Sequence, residues 1–159
     1  MRAALAASGL GPDRLELEIT ESVLLTDNAL ALRILHELRD LGVRISMDDF
    51  GTGYSSLSYL RSFPFDKIKI DKSFLHDSSF NAESVEIIKA VIGLGHSLGM
   101  ATTVEGVETE TQLNLVRAQG CSEVQGFLFS APRPAASVAA LLAARNQASD
   151  RVFPLKAAS

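Results

Sequence analysis

The strongest constraint on this chain is a unit that recurs along it. A helix-period segment stops at a glycine, and a short run rich in β-branched residues follows and ends near acidic side chains. In the first full unit Leu30, Ile34, Leu35, Leu38 and Leu41 share one helical face after a cap at Thr26 or Asp27, Gly42 ends the helix, and Val43 to Asp49 (VRISMDD) reads as a strand. The second unit runs from Ala82 to Leu98, with Val85, Ile88 and Ile92 at helical spacing, then Gly99 and the strand MATTVEG. The third opens on a capping box of Thr109 and Gln112, runs to about Gln119, stops at Gly120 and gives SEVQGFLFS. LELEIT at Leu15 to Thr20 and FDKIKID at Phe65 to Asp71 add two strands. The opening MRAALAASGLG reads as the tail of a helix, and an alanine-rich helix spans Ala135 to Arg145 after Pro134.

Five strands joined by helical crossovers predict a parallel α/β sheet covered by helices. Two architectures satisfy that prediction. A doubly wound open sheet is complete in 159 residues, whereas an eight-stranded barrel ordinarily takes about 250, so this chain would hold only part of one.

Composition narrows the function. With 47% hydrophobic residues a core forms without disulfides, and Cys121, the only cysteine, excludes an intramolecular disulfide framework. No apolar run approaches the roughly 20 residues of a membrane span, and the start lacks the apolar centre of a secretory signal. The expectation is a soluble, cytoplasmic segment that makes no membrane contact. A net charge of −4, from 19 Asp plus Glu against 15 Lys plus Arg, argues against a DNA binder that neutralises phosphates with its own cations. An anionic partner then implies intervening metal ions.

An ionisable side chain in a parallel strand is costly to bury without a partner, so the charges at the strand ends matter most. They are Glu18 and Glu21 in EITE, Asp48 and Asp49 in MDDFGTGYSSL, Lys69 and Asp71 in KIKID, and Glu105 and Glu108 in EGVE, with Gln125 in VQGFLFS. Nearly all fall at the carboxyl end of a predicted strand, where parallel α/β folds place their sites. Successive strand residues point to opposite faces, so Asp48 and Asp49 can serve one site only where the strand is ending, and GTGYSS supplies that ending. Two adjacent carboxylates repel unless one is protonated or both face a cation. With no His or Cys at zinc-like spacing, oxygen ligands favour Mg²⁺ or Mn²⁺. The plainer reading of the pair is a turn signal, and that of Lys69 is neutralisation of a buried Asp. His36, His76 and His96 are far apart and read as structural or surface residues, Cys121 as a small buried thiol, and the phenylalanines chiefly as core.

The blocks LELEITES, SMDDFGTGYSSLSYLRSFPFDKIKIDKSF, TVEGVETETQL and GCSEVQGFLFS closely resemble consecutive motifs of the EAL-type cyclic di-GMP phosphodiesterase domain of bacteria, from about Leu10 to Pro134. The resemblance implies a modified (β/α)8 TIM-like barrel, with about five β/α units present, that hydrolyses cyclic di-GMP to pGpG with Mg²⁺ or Mn²⁺. It makes Glu18, Asp48 and Asp49 metal ligands and Lys69 a catalytic lysine near the attacking water. Glu105 becomes a metal- or water-binding carboxylate that is also a candidate general base, and Gln125 a site glutamine. Glu21 anchors the loop Phe50 to Leu57, which links the site to a dimer interface, and Glu108 has a supporting role. It further implies a homodimer through the loop after Asp49 and the helix after Ala82, and a fused sensory or diguanylate cyclase domain upstream. Residues 1–145 are assigned to a partial EAL domain and 146–159 to a loose tail. The Glu-Ala-Leu segment, with its glutamate and arginine, and the strand carrying a metal-binding asparagine do not occur in this sequence. The resemblance places these two further metal ligands upstream of Met1, so this chain is expected to be weakly active or inactive alone. A non-catalytic cyclic di-GMP-binding or dimerisation module is the alternative.

Overall fold

A computed structural model describes residues 1–20, 23, 28–51, 57–75 and 81–148. Strands β1 (Glu16–Thr20), β2 (Arg44–Phe50), β3 (Lys67–Ile70), β4 (Ala101–Val104) and β5 (Glu123–Val124) form one sheet in that spatial order, every adjacent pair parallel. Helix α1 (Arg2–Ser8) precedes β1, and α2 (Asn28–Asp40), α3 (Leu57–Ser62), α4 (Ala82–Ser97) and α5 (Glu110–Ala118) lie in the crossovers. The order decides between the two predicted architectures. A doubly wound sheet reverses direction at a switch point, whereas here each strand lies beside its predecessor, the winding of a β/α barrel. One sheet face then meets the helices and the other becomes the barrel interior.

Strand alternation sorts residues onto these two faces. Ile45 and Met47 of β2, Ile68 and Ile70 of β3 and Val104 of β4 are fully buried in one apolar cluster with Leu35 of α2, Ile88 and Ile92 of α4 and Leu113 and Val116 of α5. Each such side chain contributes about 1.5–3 kcal/mol on leaving water. The opposite face carries Ser46, Lys67, Lys69 and Thr103, polar residues that are also buried.

Several boundaries differ from those read in the sequence. SEVQGFLFS is expected to be one strand, but only Glu123–Val124 pairs with β4. Gly126 lies so close to the Val107 backbone that a Cβ there meets it, and Phe129 N–H bonds back to the Gly126 carbonyl, which turns the chain. Helix α2 buries Leu35 and packs Ala31, Leu32 and Leu38 on the core, leaving Leu30 and Ile34 exposed. The apolar arc of this helix is wider than the strip the sheet covers, and the predicted face lies toward its edge. Asp71 ends β3 because its side chain accepts from Ser73 N–H at 2.9 Å and opens a 3₁₀ turn, Lys72–Phe74. Neither that turn, nor the 3₁₀ turn Pro12–Arg14, nor α3 follows from the sequence reading. The capping box of Thr109 and Gln112 forms as expected.

Two compact units divide the chain, Met1–Phe129 and Ser130–Ser159. The second holds helix α6 (Ala135–Ala148), which starts after Pro134 and runs three residues past the predicted end at Arg145. Glu21, Thr26, Asp27, His76, most of the loop Phe50 to Leu57 and the tail after 148 lie outside the described residues. No helix among the described residues is long and apolar enough to cross a membrane.

Candidate functional site

The chemistry gathers on the interior face at the carboxyl ends of β1 to β4. Glu18 of β1 and Asp48 of β2 point inward with Lys69 of β3, and Glu105 follows β4 directly. The Glu105 N–H bonds to the Ile70 carbonyl at 3.0 Å, which extends the ladder one residue and fixes where this carboxylate starts. Lys69 Nζ lies 2.8 Å from Glu18 Oε1, 2.8 Å from Asp48 Oδ1 and 2.7 Å from Glu105 Oε1. Its side chain is only 6% exposed, so burial pulls its pKa down. The hydrogen bonds to Asp48, Glu105 and Glu18 and the charge of Glu105 outweigh that and hold the ammonium above the ordinary lysine range. Lys69 is therefore a fixed cation.

Asp49 reaches the same place by a break in the sheet. Met47 pairs with Ile68 and Phe50 with Ile70, so β2 spends three steps where β3 spends two, a β-bulge. Asp49 takes φ 54°, in the left-handed region that a non-glycine residue rarely occupies. The bulge undoes the alternation that would send Asp49 to the helix side. Asp48, Asp49 and Glu105 each offer a carboxylate oxygen within 4.8 Å of the others. Such an all-oxygen, anionic donor set fits a hard divalent cation.

The other predicted residues divide. Gln125 sits beyond β5 beside the Glu105 segment, its N–H bonded to the Val104 carbonyl and its carbonyl accepting from Val107 N–H, with its side chain exposed. Glu108 is exposed and stands outside the lysine cluster. Its N–H donates to Gln112 Oε1 at 2.8 Å, a part in capping α5. Glu21 lies outside the described residues.

A second buried lysine emerges that the sequence reading did not single out. Lys67 Nζ lies 2.8 Å from Glu16 Oε2 and 2.7 Å from Glu123 Oε2, one layer below Lys69 on the same face. Burial lowers its pKa, but hydrogen bonds to Glu123 and Glu16 and their charges raise it further, for a net increase. The signal was present: in KIKI a two-residue period puts Lys67 and Lys69 on one face.

An open parallel sheet of barrel winding, with a lysine and four carboxylates at its carboxyl edge, defines a β/α-barrel domain equipped for charged or metal-bound ligands. The sequence pattern of the EAL domain family matches residues 1–132, and the chain belongs to that family. It is 44% identical over 144 residues to the cyclic di-GMP phosphodiesterase NbdA of Pseudomonas aeruginosa, covering 91% of this chain and 18% of that protein. The crystal structure of the EAL domain of Mycobacterium smegmatis DcpA matches with TM-score 0.83 and 40% identity, over 89% of this chain and 64% of that one. A manganese/cyclic di-GMP complex of Klebsiella pneumoniae BlrP1 matches with TM-score 0.76 and 37% identity, over 82% of this chain and 33% of that one. The chain spans less than a quarter of the length of the curated relatives it matches. The fold is the EAL-type barrel, to which the described residues contribute five consecutive parallel strands.

Proposed function

We propose that this chain carries the greater part of a metal-dependent phosphodiesterase site for cyclic di-GMP, within a domain spanning residues 1–145. The observation that carries the reading is the ring of Glu18, Asp48 and Glu105 around buried Lys69, with Asp49 brought in by the bulge. Glu18, Asp48, Asp49 and Glu105 hold Mg²⁺ or Mn²⁺. When bound, these cations supply Lewis acidity toward the phosphoryl oxygens and the attacking water. Lys69 ties the carboxylates together through its ammonium and presents a positive charge to the phosphodiester. Glu105 orients that water or takes its proton, a role supported by its closeness to both Lys69 and the Asp pair. Water adds across one phosphodiester bond and opens the ring to pGpG. Gln125 is a contact for the substrate. Homodimerisation through the loop after Asp49 and helix α4 rests on the same family likeness and is checked by sedimentation.

The test is chromatographic detection of pGpG after incubating the purified chain with cyclic di-GMP and Mn²⁺, alongside Asp48→Ala. Weak metal-dependent product from the chain alone, lost in the variant, is the expected result. Equal turnover by Asp48→Ala overturns the ligand assignment. Metal-dependent nucleotide binding without product makes the chain a binding module instead.

A further inference from the structure

The carboxylates of the site come from separate strand ends, and nothing in a parallel sheet by itself fixes how those ends lean toward each other. Between the end of β2 and the end of β4 stands the 3₁₀ turn Lys72–Phe74, which follows β3. On one side the tip of the Phe74 ring approaches Gly51: a Cβ there lies 2.7 Å from Cζ and 2.8 Å from Cε2. On the other side a Cβ at Gly106 collides with Lys72 Cβ and lies 3.2 Å from Lys72 Cα. Gly51 has φ 97° and Gly106 φ 72°, so each glycine is required both by its backbone conformation and by the space the turn takes. Gly51 is two residues from Asp49, and Gly106 adjoins Glu105.

The turn is itself held rigidly. Asp71 caps it through Ser73 N–H, the Leu75 N–H bonds to the Lys72 carbonyl at 2.9 Å, and Gln112 Nε2 at the start of α5 donates to the Leu75 carbonyl at 3.0 Å. Leu75 is 1% exposed and Gln112 is buried. The contact continues sideways, since Val107 presses on Gly126 and exchanges backbone hydrogen bonds with Gln125 and Leu128.

We infer that the Lys72–Phe74 turn is the spacer that sets the separation of Asp48 and Asp49 from Glu105, with Phe74 a positioning residue that acts through Gly51. The inference rests on the reading of the carboxylate cluster as a cation site. A ring in this place does two separable jobs: its body packs on the core, while its tip props the turn after β2. Leucine replaces most of the body but does not reach Gly51.

The experiment compares Phe74→Leu with Phe63→Leu, a change at a buried ring stacked at a tilt on Phe65. Mn²⁺ affinity is read by paramagnetic resonance, melting is followed without metal, and amide resonances are recorded in the metal-free protein. Phe74→Leu is expected to weaken Mn²⁺ binding about tenfold or more, the scale of losing an outer support of a metal ligand. It also shifts the amides of Glu105 and Gly106, across the turn, as well as those of Asp49 and Gly51. Phe63→Leu lowers the melting temperature at least as much and leaves both readouts in place. The inference is overturned if Phe74→Leu binds Mn²⁺ within about twofold of the parent, or if its amide shifts stop at Gly51. Failure of the parent chain to bind Mn²⁺ overturns the cation reading instead, and the amide shifts then decide on the spacer.

Discussion

Lys67 and Lys69 stand two residues apart on the same face of β3, both buried and both ringed by carboxylates, yet their surroundings differ in two respects. Lys67 faces Glu16 and Glu123, the latter half exposed and also accepting from Thr103 Oγ1, and its neighbours in β2 and β4 follow an unbroken ladder. Lys69 faces three carboxylates, a fourth lies alongside, and the ladder next to it is broken by a bulge and a left-handed aspartate. A buried ion pair alone therefore does not mark a site. What distinguishes the Lys69 cluster is an excess of negative charge held by backbone that departs from regular geometry.

The contrast breaks most readily at Lys69. Lys69→Met leaves Glu18, Asp48 and Glu105 without their cation and is expected to lower metal-free stability by about 3 kcal/mol, measured by urea unfolding. Added Mn²⁺ restores part of the loss, because a cation that binds only the folded state stabilises it by mass action. Lys67→Met sharpens the same comparison with a smaller effect, about 1–2 kcal/mol after allowance for the exposure of Glu123, and Mn²⁺ restores none of it. Equal rescue of the two variants ends the distinction. The Lys67 contribution also has a pH signature. Its folded pKa lies above the unfolded value, so the contribution is fully present below the unfolded lysine pKa of about 10.4 and fades as pH rises through the folded one. The gap between parent and Lys67→Met is thus flat from about pH 6 to 9 and narrows above about 10.4. Smallest of all, Glu108→Gln changes stability by less than about 0.5 kcal/mol and leaves Mn²⁺ affinity unchanged, since Glu108 contributes its backbone to the α5 cap rather than its carboxylate to the cluster.

Much of this was legible in the residues. Periodicity and short β-branched runs locate the five described strands and helices α2, α4 and α5, alanine richness after Pro134 locates α6, and the acidic residues at successive strand ends point to one edge of the sheet. Periodicity could not choose between winding schemes, because both give the same local alternation and only strand order separates them. Strand length at β5 was misread because FLFS has strand composition while Gly126 is fixed by Val107, a neighbour distant in sequence. The sequence reading brings Asp48 and Asp49 together only by ending the strand at Asp49, whereas β2 continues to Phe50 and a bulge, which depends on register against Ile68 and Ile70, brings their carboxylates near each other. Lys67 was passed over because its partners, Glu16 and Glu123, lie 51 and 56 residues away.

The bulge in β2 has a consequence that belongs to heredity. It amounts to one extra residue between Met47 and Phe50, so loss of a single codon there realigns the strand with β3 and withdraws one of the two aspartates. Such a deletion is expected to keep the parallel pairing of β2 with β3 while removing one carboxylate from the acidic cluster.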